Sequence, residues 1–480
     1  MKKMKNFKNI GMLLVGTMLF FSSCEKFLDV QTPDRIMEDD LFSNTTGFRS
    51  ALNGVYIDMT SDVLYGKHMT SGVVDVLAQY YAVSNIYTTY KSFNYTDATP
   101  RTYFDSAWQR YYRLIANTNT IIDKCNTTNV LSATNKNIIL GEGLALRAFF
   151  HFDVLRLFGP IYNEQNKTLT SIPYNNVVQP QALPLLPAEK VIDNIIADLS
   201  ASLALLEASD PVLTEGRRNT SDLVNGDFLS YRQFRLNYYA VKALLARVYL
   251  WKQDKVNAGR LAQEVIRQVQ TEHNYFPFVS REEAVNPTTP DRVFSSEILF
   301  AGYDNTRTAM FNSLIGPNAV SFDRISIASG RASEMYDDNN DFRYLAFAVQ
   351  TVGTGSVFYS RKYEPVNTVL DNYVPLIRVS EMYYIAAECS ASLTDATTLI
   401  NKVRAARSAR NLVIADQNAL ELALRNEYRR EFLGEGQLFY YYKRKNLASV
   451  PDGATNTGTT NVTSGSYVVP LVDSEISQRN

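Results

Sequence analysis

The chain has 480 residues, 45 % of them hydrophobic, and a formal net charge of −1. This is enough apolar material for two or three compact domains or one large helical body. No stretch forms a block of basic residues, so nucleic acid is excluded as an expected partner.

The first 24 residues have the pattern of a bacterial lipoprotein signal. Four lysines between Lys2 and Lys8 precede an apolar run from Ile10 to Phe21, and small residues lead directly to Cys24. The run is too short to span about 30 Å of hydrocarbon. We therefore expect residues 1–23 to be a signal peptide and Cys24 to carry acyl chains that anchor the protein without spanning the membrane. The alternative is an ordinary secretory leader with an incidental cysteine.

Residues 24–40 are predicted to be an acylated leash followed by a first ordered strap. Helical periodicity then dominates. Apolar residues from Ile139 to Leu157 fall on one stripe and predict a helix that is buried on one side and ends at Gly159-Pro160. Two helix pairs follow the same logic and resemble tetratricopeptide repeats, although they are not in tandem: 238–251 with 256–269, and 379–393 with 395–407.

Between these pairs the chain has few apolar residues at helical spacing and many residues that favour turns. We predict loops with a few strands at Val293-Phe294, Ile298–Phe300 and Val357–Tyr359. Near the end, 451–466 is predicted to be an exposed loop before an extended segment, 467–471. The fold class is thus mainly α, with a first scaffold part at 41–273, a loop-rich insertion at 274–375 and a second scaffold part at 376–480.

Four stretches in this order resemble the SusD/RagB family of surface lipoproteins. They are CEKFLDVQTPDRI from Cys24, GEGLALRAFFHFDVLRLFGPI from Gly141, RVSEMYYIAAECSAS from Arg378 with LINKVRAAR, and RNEYRREFLGEGQLFYYYKR from Arg425. The closing segment from Tyr467 to Pro470 is similar to the family's last strand, but the usual short extension after it is missing.

The resemblance implies a protein that performs no chemistry. Family members capture a nutrient at the outer face of the outer membrane, most often a glycan and in some members a peptide. They pass it to a SusC-like TonB-dependent transporter, which they contact through their tetratricopeptide-like helices. Two other functions stay open at this point: a surface glycoside hydrolase, and a scaffold that only closes the transporter.

The search for catalytic and metal-binding patterns supports a binding protein without a cofactor. The chain has three histidines and no zinc-protease, nucleophile-elbow or nucleotide-binding signature. Two Gly-Glu-Gly sequences, at Gly141 and Gly434, lack a third glycine and predict helix packing or helix ends. His151 is interpreted as a satisfied, partly buried histidine. The acidic run 337–341 begins like a calcium loop, but residues 342 and 348 do not fit one, so a polar turn is expected and no metal site is predicted.

Tyrosine is the most informative residue type, with 30 copies against two tryptophans. Sugar rings are held by flat aromatic surfaces with amide and guanidinium groups around them. We therefore predict a ligand platform in the segment 79–95 and a second contribution from the insertion, while about half of so large a tyrosine set is expected to be packing. The candidate ligand-binding residues are Tyr81, Tyr87, Tyr90, Tyr95, Tyr303, Asn305, Arg307 and Phe322.

Two further expectations concern structure. The mixed-charge run 425–444 predicts ordinary pairing on a helix surface, or alternatively charges that fix the helix onto its neighbours. Cys125 and Cys389 are expected to be core thiols without a redox role, because they are 264 positions apart in the chain and Cys389 lies on an apolar helical face.

Overall fold

The computed structural model describes residues 38–179, 181–219, 228–317, 319, 323–352, 355–477 and 479. The predicted signal peptide, Cys24 and most of the leash lie outside these residues. Within them, no helix combines the length and the apolar character needed to cross a bilayer.

The first scaffold part consists of helices with one short two-stranded ladder. Its elements are α1 Glu38–Leu41, α2 Thr45–Asp58, α3 Val73–Leu77, α4 Ile86–Lys91, α5 Ala98–Thr127, α6 Ala133–Phe158, β1 Thr170–Pro173, β2 Leu185–Pro187, α7 Ala188–Glu207, α8 Val212–Glu215, α9 Tyr238–Trp251 and α10 Lys255–Ile266. A π-helical turn, Arg267–Glu272, extends α10.

The insertion and the second scaffold part complete the chain. The insertion contains α11 Arg281–Ala284, β3 Ile298–Tyr303, α12 Arg307–Leu314, α13 Ser329–Met335, α14 Phe342–Leu345, β4 Phe347–Val352, β5 Gly355–Ser360 and β6 Tyr373–Arg378. The second scaffold part contains α15 Val379–Cys389, α16 Leu393–Ala406, α17 Gln417–Glu431, α18 Leu438–Lys445, β7 Ser449–Pro451, β8 Thr459–Asn461 and α19 Asp473–Ser477.

The long helices form one continuous stack. In order of packing it runs through α5, α6, α7, α9, α10, α15, α16 and α17. The insertion separates α10 from α15 in the chain, yet these two helices pack directly against each other. Stacked helix pairs bury a shared core that none of them could bury alone. The prediction of a mainly α fold with tetratricopeptide-like pairs is confirmed.

Helix boundaries follow from local capping. Six of the stack helices begin after a residue whose side chain accepts a backbone N–H of the first turn, namely Asp97, Ser132, Asn237, Asp254, Ser392 and Asp416. Such side chains satisfy donors that have no partner inside the helix. Because this bonding is local, the two predicted pairs are found within a few residues of their expected ends.

Helix α6 departs from its prediction. Its end at Phe158 before Gly159 is as expected, but from Ile138 onward nearly every side chain is buried, including Glu142, Arg147 and Arg156. The expectation that it is buried on one side is wrong. The physical reason is that α6 packs against both α5 and α7 in the stack. Its buried charges are neutralised by partners, as Glu142 is by Arg232.

The strands of the insertion are partly as predicted. Residues 298–300 lie in β3, which pairs antiparallel with β6, and 357–359 lie in β5, which pairs with β4. Val293-Phe294 is not a strand. Phe294 has a φ of +58° and starts a short 3-10 turn, a conformation that cannot continue an extended strand.

The segment 451–466, predicted to be an exposed loop, includes part of a β-hairpin that β7 forms with β8. β7 pairs with β8 from Ser449↔Asn461 to Pro451↔Thr459, and Val450 and Val462 are buried. The segment 467–471, predicted to be extended, begins with the last residue of a 3-10 helix, Ser464–Tyr467, and the backbone is extended at Val468. The N–H of Val469 donates to the carbonyl oxygen of Leu157 at the end of α6.

Both cysteines are free thiols in protected places. Cys125 is buried and Cys389 is half-buried. Burial raises the pKa of each thiol to about 12. The thiols are therefore protonated and poorly nucleophilic at neutral pH, in keeping with a packing role.

Helices α10 and α15 approach closely because α10 carries glycine at the contact. A Cβ built on Gly259 would lie 2.9 Å from the Cβ of Cys389. Overpacking typically costs about 1–3 kcal/mol, and the gain in helix propensity offsets up to about 1 kcal/mol of it. We expect Gly259→Ala to lower the free energy of unfolding by about 1 kcal/mol, measured by urea denaturation.

A matched glycine should respond in the opposite direction. An added Cβ on Gly54 in α2 meets no atom within 4 Å, so Gly54→Ala is expected to stabilise by about 0.5–1 kcal/mol. The double variant Gly259→Ala/Cys389→Gly should recover most of the loss, since Cys389 is the last residue of α15, where glycine is tolerated. Equal stabilisation by both alanines would contradict close packing at Gly259.

A buried ion network joins the insertion to the second scaffold part. Its members are Glu297, Glu427, Glu431, Glu435, Arg343, Lys362, Arg378, Arg404, Arg407 and Arg430. At its centre, Glu431 accepts hydrogen bonds from Arg343 at 2.8 Å, from Arg378 at 2.5 Å and from Arg407 at 2.6 Å. These three arginines come from α14, from the end of β6 and from the residue after α16.

The network corrects the expectation of surface pairing in α17. Glu427, Arg430 and Glu431 are all buried, and the alternative, that these charges fix the helix onto its neighbours, is confirmed. Burial opposes ionisation of Glu427, but Arg343 and two further guanidiniums outweigh it and lower its pKa to about 2. Buried charges that are fully paired in this way hold one arrangement of the surrounding elements.

Candidate functional site

The two regions predicted to supply ligand contacts meet in the structure. Ala82, in the segment 79–95, and Ser326, in the insertion, exchange two backbone hydrogen bonds of 2.7 and 3.1 Å. Ile327 then pairs with Phe358 of β5. A residue pair more than 240 positions apart in the chain thus becomes the seam of one surface.

Helix geometry decides which side chains of the segment reach solvent. In α4, Tyr87 and Tyr90 are three positions apart and share the inner face. Asn85, Ile86 and Thr88 are left exposed. We define the loop face as Asn85, Ile86 and Thr88 together with Asp323 and Arg324, which are half-buried next to the seam.

The expectation that the tyrosines of this segment form an exposed platform is wrong. All four candidate rings are buried, with Tyr87 at 0 % exposure: Tyr81, Tyr87, Tyr90 and Tyr95. Each packs against aromatic or polar neighbours. Tyr90 contacts Tyr87 and Phe104 at ring-centre distances of 6.1 Å, and the Tyr95 hydroxyl donates to the carbonyl of Ser466 at 2.7 Å.

These rings instead support the loop face from below. His68 lies 4.9 Å from the ring centre of Tyr103 and 6.4 Å from that of Tyr87, so α4 rests on an aromatic layer. Burial lowers the pKa of His68 to about 3, so the imidazole is neutral. Burial, reinforced by the charge of Asp323, raises the pKa of the Tyr87 hydroxyl. The layer is therefore uncharged, which suits a rigid base.

Arg324 shapes the neighbouring loop of the insertion. Its Nη2 donates to three carbonyl oxygens, those of Gly316, Pro317 and Ala319, at 2.7–3.2 Å. Its Nε is buried and has no partner among the described residues. The guanidinium therefore ties together the backbone at Gly316, Pro317 and Ala319.

Asn85 has an uncommon backbone conformation, with φ 47° and ψ −120°. This is outside the regions that non-glycine residues usually adopt and costs of order 1–3 kcal/mol. Strain of this kind persists only when the surroundings impose it. Here the seam at Ala82 and the buried Tyr87 lie on either side of the residue, and Asn85 itself is exposed.

A third element secures the segment from the C-terminal side. Lys91 donates to Asp452 at 2.7 Å, and the N–H of Gly453 donates to the carbonyl of Gln79 at 2.8 Å. The hairpin of β7 and β8 is thus part of the support of the loop face, a role that the exposed-loop prediction did not anticipate.

Asp75 anchors the base of the same segment. Its carboxylate accepts the N–H groups of Gly434 and Gly436 at 2.6 and 3.1 Å, and both glycines have positive φ. A Cβ on Gly436 would lie 2.1 Å from the carbonyl oxygen of Met69. Burial raises the pKa of Asp75 to about 8 against the opposing effect of these donors. The Gly-Glu-Gly sequence at 434 is therefore a turn after α17, in line with the predicted helix-end role.

The other Gly-Glu-Gly sequence lies inside α6. Gly141 faces Leu206 and Gly143 faces Ile122 at contact distances that leave little room for a Cβ. The predicted helix-packing role is confirmed.

Both ring nitrogens of His151 have hydrogen-bond partners, as expected, although the ring is fully buried. Its Nδ1 lies 2.8 Å from the carbonyl of Arg147, and its Nε2 accepts the N–H of Asn175.

The candidates from the insertion are separated by the structure. Tyr303 is 46 % exposed and its hydroxyl accepts a hydrogen bond from Asn372, while Asn305 is exposed beside it. Arg307 is fully buried, donates to the carbonyl of Gly66 at 2.7 Å and covers the ring of Tyr363 at 3.9 Å. The expectation that Arg307 contacts a ligand is wrong, because its guanidinium is held inside the fold by Gly66 and Tyr363. Phe322 lies outside the described residues.

Tyr303 and Asn305 do not adjoin the seam. They precede α12, whereas the loop held by Arg324 follows it, and eight helical residues span about 12 Å. The two exposed candidates, Tyr303 and Asn305, thus lie at a different part of the insertion from the loop face.

The residues that sequence reasoning left out of the candidate list are Asn85, Ile86, Asp323 and Arg324. For the first two, the spacing of Tyr87 and Tyr90 was an available signal.

Elements of enzymatic chemistry are not grouped at the loop face. Across the described ranges, no three His, Cys, Asp or Glu side chains are placed to hold a metal ion. The acidic run at 337–341 is engaged in ion pairs, for example Asp341 with Arg343 and Asp337 with Arg404, so it is a paired polar turn.

Two family models match the chain. One, described as starch-binding and associating with the outer membrane, covers residues 26–250, and the other, the SusD family, covers residues 334–476. The chain belongs to the SusD/RagB family. A SusD-like protein of Formosa agariphila is 22 % identical over 94 % of both chains.

Solved SusD structures share the fold. A SusD superfamily protein from Bacteroides thetaiotaomicron has a TM-score of 0.71 at 20 % identity and covers 90 % of this chain and 98 % of its own. A SusD-like carbohydrate-binding protein from Bacteroides vulgatus has a TM-score of 0.70 at 17 % identity, covering 91 % and 96 %. A laminarin-binding SusD-like protein has a TM-score of 0.61 at 18 % identity, covering 84 % and 92 %.

The two SusD models divide the loop face. Residues 79–95 lie inside the first matched range, whereas Asp323, Arg324 and Ser326 lie in the stretch 251–333 that neither range covers. The segment 79–95 of the seam therefore lies within a matched family range, and the insertion side lies between the two ranges.

Proposed function

We propose that this SusD-family protein binds an oligo- or polysaccharide at the loop face, without chemical turnover, and delivers it to a SusC-like TonB-dependent transporter in the outer membrane. The observation that carries the proposal is the seam between Ala82 and Ser326, because it joins the two predicted ligand regions next to the exposed Asn85 and Thr88 and the half-buried Asp323 and Arg324. The starch-binding description of the family model and the carbohydrate-binding relatives support it.

The loop face offers the groups that a neutral glycan requires. Asn85 and Thr88 supply an amide and a hydroxyl, and Asp323 supplies an acceptor. Ile86, 44 % exposed, provides an apolar contact for the C–H face of a sugar. The site that we propose on this face is shallow, so that a polymer can bind at any point along its length. A shallow site also favours fast release.

The carrier role implies a position at the cell exterior. We infer that acylated Cys24 holds the protein at the outer membrane beside its transporter. Tethering raises the effective concentration of captured ligand at the barrel mouth, so moderate affinity is sufficient. An oligopeptide is the other cargo class known in the family, and a surface glycoside hydrolase is the enzymatic alternative.

Substitution at the loop face should abolish ligand retention. The double variant Asn85→Gly/Ile86→Ala removes the amide and the apolar contact, and glycine keeps the positive φ at position 85 without strain. We expect affinity to fall by about tenfold or more, or about 1.4 kcal/mol. Affinity electrophoresis against gels containing α-glucan, laminarin, fructan or host glycan measures the change, with oligopeptides as soluble competitors.

The control is a pair of similar residues away from the loop face, one in α10 and one shortly after its π-helical turn. Asn274 also has a positive φ, of 52°, and Val256 in α10 is 81 % exposed. Asn274→Gly/Val256→Ala should leave migration unchanged. Retention of full binding by the loop-face variant would remove this surface from the proposal. Release of shortened sugars from the gel polysaccharide would favour the hydrolase, and competition by peptides alone would favour the peptide carrier.

A further inference from the structure

A small cavity lies where the two scaffold parts pack against each other. It has a volume of about 30 Å³ and is bounded by α6 and α9 from the first part and by α15, α17 and α18 from the second. Its wall includes the side chains of Phe152, Arg247, Trp251, Glu381 and Tyr440. We call it the interhelix cavity. Its size suits one or two water molecules or a single monatomic ion, and it excludes a sugar.

Three side chains on this wall have buried polar atoms without partners. The atoms are Nη1 of Arg247, Nε1 of Trp251 and the hydroxyl oxygen of Tyr440, and no described residue forms a hydrogen bond with any of them. The three residues are only 6 %, 3 % and 4 % exposed, in that order. Arg247 and Trp251 are four positions apart in α9 and share one face of that helix. Because buried polar atoms normally have partners, three of them around one small cavity indicate an occupant.

The neighbouring groups hold these atoms in fixed positions. Arg247 donates to the two carboxylate oxygens of Glu381 through Nε at 2.7 Å and Nη2 at 2.5 Å, which leaves Nη1 over. The guanidinium of Arg156 covers the ring of Tyr440 at 3.9 Å and donates to the Oε1 of Gln437 at 3.0 Å. The acceptors of Glu381 and Gln437 are thus already engaged, and the three atoms without partners can all donate.

An occupant of this cavity must accept hydrogen bonds. A guanidinium or indole N–H can only donate, and a tyrosine hydroxyl can donate as well as accept. A water molecule accepts two such bonds, but it brings two hydrogens that need acceptors of their own. A halide ion accepts all three bonds and donates none. The donor set therefore favours an anion over water.

Cations outnumber carboxylates around the cavity. Three arginines on its wall each pair with one carboxylate, and the pairs are Arg156 with Asp153, Arg247 with Glu381, and Arg444 with Glu388. Lys445 adds a fourth cation, 2.9 Å from the same Glu388. The other partner of Lys445 is Glu421, whose side chain is 39 % exposed, so water screens that pair. A water molecule in the cavity would leave the excess positive charge in place, whereas a monovalent anion would offset it.

We propose that the interhelix cavity binds a monovalent anion of chloride size, which accepts hydrogen bonds from Arg247, Trp251 and Tyr440. The anion joins α9 of the first scaffold part to α18 of the second. Because it binds only the folded chain, it stabilises the contact between the two parts. The inference is independent of the proposed function, since the cavity shares no residue with the loop face.

Bromide provides a direct test, because it replaces chloride and its position can be found from anomalous X-ray scattering. In crystals of the full wild-type chain soaked in sodium bromide, we expect an anomalous peak inside the cavity, in contact with Nε1 of Trp251. In solution, the chain carrying Trp108→Phe has Trp251 as its one tryptophan. Titration with sodium bromide, at an ionic strength held constant with sodium gluconate, should change its emission saturably, and chloride should compete.

Tyr440→Phe removes one donor and keeps the ring. Added to Trp108→Phe, it should weaken bromide binding at least tenfold, since hydrogen bonds to a charged group are stronger than neutral ones. Tyr87→Phe is the matched control and should not weaken binding, because the Tyr87 hydroxyl is also buried without a partner among the described residues but lies in α4.

Three results would overturn the proposal. The first is an anomalous map of the wild-type chain without a peak in the cavity, which would leave water as the occupant and does not depend on any variant. The second is a peak in the crystal without a saturable response in solution, which would show an adventitious ion only. The third is bromide binding that Tyr440→Phe does not weaken, which would place the ion elsewhere.

Discussion

Replacing Glu431 with glutamine is expected to destabilise the protein by about 3–5 kcal/mol. The carboxylate is buried and accepts hydrogen bonds from Arg343, Arg378 and Arg407. Glutamine has nearly the same shape but no charge, so three guanidiniums would remain in the interior without their shared partner. Because a domain is stable by only about 5–15 kcal/mol, the urea midpoint should fall sharply.

A surface ion pair provides the comparison. Arg267 and Glu272 pair at the end of α10, and both side chains are at least 40 % exposed. Glu272→Gln should change the free energy of unfolding by less than about 1 kcal/mol. Similar small effects at both positions would show that the network does not hold the insertion onto the scaffold.

The same network predicts how stability depends on pH. Glu431 and Glu427 have pKa values below the usual 4.5, since their arginine partners outweigh the effect of burial. A lowered pKa means that the unfolded chain takes up protons first as the pH falls. The stabilisation is therefore complete above about pH 4.5 and is lost as the pH falls toward 2. Glu431→Gln should show a shallower loss over this range.

Replacing Cys24 with serine is expected to release the protein from the membrane almost completely. A thioether-linked lipid cannot form on serine, and each acyl CH₂ that inserts into a bilayer contributes about 0.8 kcal/mol. In cells fed labelled palmitate, the wild-type chain should carry label and sediment with outer membranes, whereas Cys24→Ser should carry none and remain in the soluble fraction.

A second cysteine variant tests the specificity of this result. Cys389→Ala removes a half-buried thiol that lies at the end of α15. It should retain both label and sedimentation. Membrane association of Cys24→Ser that survives a carbonate wash would mean that the protein is held by its transporter or by another segment, and the anchor assigned to Cys24 would be wrong.

The sequence by itself determined the scaffold. Apolar stripes and capping residues such as Asn237 and Ser392 act within a few positions, so the helix pairs 238–266 and 379–406 could be predicted close to their observed bounds. The four family-like stretches indicated the SusD/RagB fold for the same reason, because each is a short continuous segment. The tetratricopeptide-like stack followed from these local patterns.

Only the tertiary structure decided which side chains face the solvent and which charges lie inside. Ala82 pairs with Ser326, so Asp323 and Arg324 lie next to a segment that is more than 240 positions away in the chain. The partners of Glu431 are 88, 53 and 24 positions away from it. Composition around a residue cannot reveal neighbours that distant segments supply. The loop face, the interhelix cavity and the buried ion network therefore emerge only when the chain is folded.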